Sequence, residues 1–120
     1  MTAGTWPANL APIAAAIIDG DTGAALKKSG AGLGVFSKPA TGHCRVTLTG
    51  SGVEHVGSVL VELSVSAPTA RIVTYEIDAE ATPQELDIFT WDAAGVATDA
   101  VIISLAVYRL SLTAPVPAPP

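Results

Sequence analysis

Charge is scarce in this chain. Only 14% of its 120 residues are Asp, Glu, Lys or Arg, against about 25% in an ordinary soluble domain. The six bases are Lys27, Lys28, Lys38, Arg45, Arg71 and Arg109, and only the first two are adjacent. Nucleic-acid binding needs clustered bases to neutralise phosphates, so no nucleic-acid partner is expected. Cysteine is nearly absent: Cys44 stands alone, which excludes an intrachain disulfide and a cysteine-only metal centre. It fits a chain made in a reducing cytoplasm. Aromatic residues are few, with two each of Trp, Tyr and Phe, a thin supply for stacking sugars or bases. Long apolar runs are missing as well. A membrane-spanning helix needs about 20 consecutive apolar residues, and here Asp, Ser and Arg break every run far sooner. The N-terminus has no basic segment, and Pro7 and Pro12 interrupt it, so neither a signal peptide nor a membrane partner is expected.

What the chain has is apolar bulk. Hydrophobic residues make up 49% of it, more than so few charges ordinarily accompany. Large apolar surface in a soluble chain marks an interaction site, so part of this surface is expected to be covered by other chains. The length fits one domain.

Residues 1–12 are irregular and read as an N-terminal arm with Trp6 as its one large anchor. That ring either covers the edge of its own domain or plugs a neighbouring subunit. Asp19-Gly20-Asp21-Thr22-Gly23 is a turn signal, which predicts a hairpin of 13–18 with 24–28. A short strand follows around 33–37. Then His43–Thr49 alternates Cys44, Val46 and Leu48 with His43, Arg45, Thr47 and Thr49, the pattern of a half-buried strand. Further strands are predicted over 56–66, with Val59, Val61, Leu63 and Val65 on one face, and over 71–78, with Val73, Tyr75 and Ile77 on one face. Two more are predicted over 86–92 and 100–112. In the last, Val101, Ile103, Leu105 and Val107 share one face. The other carries Ile102, Ser104, Ala106, Tyr108 and Leu110. A strand apolar on both sides is buried on both sides, so this second face must meet a loop or another copy of the chain. Strands punctuated by Gly and Pro, with no amphipathic helix, predict an all-β, single antiparallel β-sandwich, jelly-roll-like, of about eight strands. The sandwich spans 13–112, and residues 113–120, ending APVPAPP, form an extended Pro-rich tail.

Chemistry is hard to find. His43 and Cys44 are adjacent, so they point to opposite faces of a strand and make no nucleophile–base pair. His43 and His55 read as surface histidines. Asp19-Gly20-Asp21 opens like a calcium loop but lacks the closing Glu, and turn chemistry accounts for it. Asp92 and Asp99 flank the 93–98 loop, where a shared cation is conceivable but a solvated loop is the simpler reading. No phosphate loop, nucleophile elbow or zinc-protease motif is present. No catalytic, cofactor-binding or metal site is expected.

Two stretches resemble a known group. Thr41-Gly42-His43-Cys44-Arg45-Val46-Thr47-Leu48 is similar to a "tGxYrVtl" pattern. Phe89-Thr90-Trp91-Asp92-Ala93-Ala94-Gly95, then Asp99 and Leu105-Ala106-Val107-Tyr108-Arg109, is similar to "v.tfd..G...D..f...Vyr". Both patterns resemble small β-sandwich structural proteins of tailed bacteriophages, with Cys44 where an aromatic stands in the pattern. The resemblance implies a virion protein assembled in the bacterial cytoplasm, often a homotrimer, bound to other virion proteins such as the major capsid protein. The expected role is a capsid decoration (cement) subunit, and the alternative is a tail-fibre tip or receptor-binding module, carbohydrate being one ligand. Contacts are expected through Trp6, Ile102, Tyr108, Leu110, Pro115 and Pro117.

Overall fold

A computed structural model describes residues 10–49, 59–78 and 80–110. Eight strands run in the order β1 Leu10–Asp19, β2 Ala25–Gly30, β3 Leu33–Ala40, β4 His43–Leu48, β5 Val59–Ser66, β6 Ile72–Asp78, β7 Gln84–Trp91 and β8 Ile102–Leu110. They form two four-stranded sheets, β2-β1-β8-β5 (the first sheet) and β3-β4-β7-β6 (the second), and every pairing is antiparallel. The chain is an all-β sandwich, and the described residues include no helix.

The core follows from alternation. Ala14, Ala16 and Ile18 of β1 and Ile103, Leu105 and Val107 of β8 meet Cys44, Val46 and Leu48 of β4 and Leu86 and Ile88 of β7. Ile18, Val46, Leu86 and Ile88 are fully buried, each contributing about 1.5–3 kcal/mol of apolar burial. Val61, Leu63 and Val65 of β5 pack on this core from the edge. Lys28 lies on the inward face of β2 and sets its ammonium 5.9 Å from the centroid of Phe36 on β3, closing the open side between the two sheets.

Several local expectations shift. Leu10, Ala11 and Pro12 pair with Leu110, Arg109 and Tyr108 instead of belonging to an arm, and a bulge follows Pro12. β2 reaches only to Ala14, so the missing N–H of Pro12 faces no strand on that side. Val101 precedes β8 and is exposed, and its backbone ties Ser66 to Gly20. Tyr75 is also exposed, unlike Val73 and Ile77 two residues to either side, which pack on the core. Glycine is obligatory at two joints. A Cβ on Gly20 would stand 2.0 Å from the carbonyl oxygen of Ala100. Gly42, in the tight β3–β4 turn, has φ +69° and would place a Cβ 2.6 Å from the Thr90 carbonyl oxygen.

Candidate functional site

The outer face of the second sheet carries the densest chemistry. Because side chains alternate along a strand, burying Cys44, Val46 and Leu48 turns His43, Arg45 and Thr47 outward on β4. Burying Leu86, Ile88 and Thr90 turns Glu85, Asp87, Phe89 and Trp91 outward on β7. Register then sets His43 beside Phe89, Arg45 beside Asp87 and Thr47 beside Glu85. On the other flank β6 places Ile72 beside Trp91, Thr74 beside Phe89, Glu76 beside Asp87 and Asp78 beside Glu85. Ala97 bridges to Trp91 beyond the end of β4. The face thus grades from apolar (Ile72, Trp91, Ala97) through aromatic (His43, Phe89) to charged (Arg45, Asp87, Glu85, Glu76, Asp78).

Three rings line up along it. The His43 and Phe89 centroids are 4.5 Å apart at 27°, and those of Phe89 and Trp91 are 6.2 Å apart at 26°. Trp91 Nε1 donates to Thr74 Oγ1 at 3.4 Å. Next to the rings one carboxylate oxygen holds two cationic or polar partners. Asp87 Oδ1 accepts from His43 Nε2 at 2.6 Å and from Arg45 Nε at 2.8 Å. Arg45 Nε also lies 3.0 Å from Glu85 Oε2. Asp87 is only 6% exposed. Burial alone would raise its carboxyl, but the hydrogen bonds from His43 and Arg45, with the charge of Arg45, outweigh it and hold the group below the usual carboxylate range. Glu76 makes no hydrogen bond or ion pair with another described residue, so it is available to a ligand.

The other polar groups are spent on structure. Asp99 Oδ2 accepts from Lys38 Nζ at 2.5 Å and its Oδ1 from the Gly42 N–H at 2.7 Å. Burial would raise this carboxyl, and these two bonds overcome it and lower it. Asp92 Oδ1 accepts the N–H groups of Ala94 and Val96, each at 2.9 Å. Of the two carboxylates flanking the 93–98 loop, one caps its own turn and the other is paired with a lysine. Asp19 Oδ1 accepts the Asp21 N–H at 2.9 Å, the turn chemistry expected. Cys44 is buried, which pushes its thiol up and makes it a poor nucleophile. Among the described residues no cluster of three metal-ligating side chains occurs.

Of the residues expected to make contacts, Ile102 and Tyr108 both face outward on β8, near its two ends, and are half-buried. Leu110 ends β8, with its backbone paired to Leu10. Trp6, Pro115 and Pro117 lie outside the described residues, as do His55 and the loop of 50–55. The structure does not bring Ile102 and Tyr108 to the aromatic row, which belongs to the opposite sheet. Sequence reading treated His43 as a plain surface histidine and counted the aromatics as too few. The signal that finds the row is the spacing His43-x-Arg45 on one strand and Asp87-x-Phe89-x-Trp91 on another, every second residue facing outward.

No family model matches the chain, and no curated protein matches it. Among solved structures it is similar to the phage phiAB6 tailspike, determined in complex with three-repeated oligosaccharides of Acinetobacter baumannii surface polysaccharide, with a TM-score of 0.54 at 15% identity. The match covers 84% of this chain and 20% of the tailspike, so the chain spans about a fifth of that protein's length. At this identity the likeness is one of fold.

Proposed function

We propose that the chain is a non-enzymatic module of a tailed-bacteriophage virion that binds a surface glycan through the outer face of its second sheet. The observation that carries this reading is the row His43–Phe89–Trp91 running into the hydrogen-bonding groups Arg45, Asp87, Glu85 and Glu76. Sugars present apolar C–H faces beside hydroxyls, and a surface with rings at one end and carboxylates and a guanidinium at the other offers a partner to each. The likeness of fold to a tailspike solved with surface oligosaccharides supports the same reading.

The charges of the face narrow the ligand. Glu76, Asp78, Glu85 and Asp87 stand against Arg45 and His43, so polyanionic glycans are disfavoured relative to neutral or amino-sugar ones. A non-catalytic role is proposed with it because no nucleophile accompanies the histidine: the hydrogen bond of His43 goes to Asp87, and Cys44 beside it points into the core. The test is calorimetric titration of the full chain with neutral and acidic oligosaccharides from bacterial surface polysaccharides, with assay for released reducing ends. Binding of neutral fragments without cleavage is expected. Binding of none contradicts the glycan reading, tighter binding of the acidic ones contradicts its charge preference, and cleavage contradicts the non-catalytic role.

A capsid decoration subunit is the second reading. It is favoured by the outer face of the first sheet, where Ile17, Ile102 and Tyr108 stand among small residues with no second layer of described strands over them. Added to undecorated capsids, the protein would bind and raise their disruption temperature under this reading, and an absence of binding contradicts it.

A further inference from the structure

The outer face of the first sheet is as poor in bonds as the second sheet's is rich. Its rows follow from register. Lys27, Ile17, Ser104 and Ser64 cross the four strands in one row, and Ser29, Ala15, Ala106 and Glu62 in the next. Ile102 lies beyond the first row and Tyr108 beyond the second. Ala15, Ser29 and Ser104 are small, and with Ile17 and Lys27 they line an open depression of about 510 Å³. The centre is therefore apolar and low. Two charges stand at its edges, Lys27 on β2 and Glu62 on β5, and neither pairs with another described residue; a third, Asp19, lies at the end of β1 opposite Ile102, where it accepts the Asp21 N–H.

We infer that this face is the contact for a second copy of the chain, stacked sheet on sheet about a two-fold axis parallel to the strands. The charges select the axis. A two-fold across the strands would lay β2 on β2 and bring Lys27 within one row of Lys27 of the second copy. A two-fold along them lays β2 of one copy over β5 of the other. Lys27 then comes within one row of Glu62 of the second copy, about 7 Å along the strands and about 10 Å across the gap, a separation that the two long side chains span by reaching toward each other. Symmetry makes the same pair at the opposite edge. Ile17, Ile102, Ala106 and Tyr108 are covered between the edges, at the spacing of about 10 Å normal for stacked sheets.

Magnitude sets the strength. Four strands about 4.8 Å apart and about 25 Å long present about 500 Å² per copy, hence about 1,000 Å² in all, the lower limit for a specific interface. The pair is a weak dimer, formed at high local concentration. An isologous contact of this kind gives pairs, so the homotrimer implied by the sequence resemblance needs a different, head-to-tail surface. The dimer does not depend on the glycan reading.

Sedimentation velocity of the full chain from about 1 µM to about 1 mM tests the contact. Wild type is expected to shift from monomer to dimer across this range. Lys27→Glu and Glu62→Lys should each weaken the dimer by about fivefold or more, and the double exchange should restore it. Ala106→Arg places a bulky cation at the centre of the face, beside Glu62 of its own sheet where folding tolerates it, and should abolish the dimer. Circular dichroism of each variant checks that it folds. A wild type that stays monomeric throughout overturns the inference, as does an oligomer that Ala106→Arg leaves intact or a double exchange that restores nothing.

Discussion

On the outer face of the second sheet the side chains are tied to one another. Asp87 holds His43 and Arg45, Arg45 also meets Glu85, Phe89 stacks between His43 and Trp91, and Trp91 bonds Thr74. On the outer face of the first sheet Ala15, Ile17, Ser104, Ala106 and Ile102 make no side-chain bond to another described residue. Both faces come from antiparallel strands whose inner sides share one core. The difference lies in what the outward positions hold. Bonded groups fix their own geometry before a ligand arrives, which suits recognition of a polar molecule. Unbonded apolar groups gain only by being covered, which suits a second protein surface.

Substitutions on the two faces are expected to separate sharply. The largest effect is expected at Asp87. Removing a buried carboxylate that serves two donors strands His43 and part of the Arg45 bonding, so Asp87→Ala should cost about 2–3 kcal/mol, read as a fall of about 10 °C or more in the melting temperature. A loss under about 0.5 kcal/mol would mean the network is ornamental and the two faces are alike. Trp91→Ala should come next, with a stability cost of about 1–2 kcal/mol and a glycan affinity lower by about tenfold or more. Unchanged affinity would move the binding site elsewhere.

Acid sharpens the comparison. The carboxyls of Asp87 and Asp99 lie below their ordinary value in the folded chain, so each stabilises it above the unfolded value of about 3.9. That contribution is lost as pH falls through the lowered folded value. Stability from denaturant titrations should thus be flat down to about pH 4 and decline below it. Asp87→Asn and Asp99→Asn should each flatten that decline, and a variant that declines as steeply as wild type contradicts the assignment. The smallest effect belongs to the first sheet. Ser104→Ala and Ala15→Ser should change stability by no more than about 0.5 kcal/mol, and a larger loss would reveal an intramolecular partner over that face.

The sandwich was legible because β4, β5, β6 and β8 write their faces in alternation. Cys44-x-Val46-x-Leu48 and Ile103-x-Leu105-x-Val107 read directly as inward positions, and the Asp-Gly turn fixed the first hairpin. The aromatic row was not legible in the same way. It depends on His43 landing beside Phe89, which are 46 positions apart, and that requires the β4–β7 register. Local periodicity gives each residue's face but not its neighbour across the sheet. Asp87 was missed for the same reason: its value comes from His43 and Arg45, both supplied by another strand. The apolar second face of β8, by contrast, was visible in one strand alone, because all its relevant residues lie within Ile102–Leu110.

The most direct measurement is isothermal titration of one neutral surface oligosaccharide into three proteins: wild type, Trp91→Ala on the second sheet and Ala106→Arg on the first. Wild type and Ala106→Arg are expected to bind alike, while Trp91→Ala binds about tenfold more weakly or not at all. Retained binding in Trp91→Ala together with loss in Ala106→Arg would contradict the division of labour between the two faces.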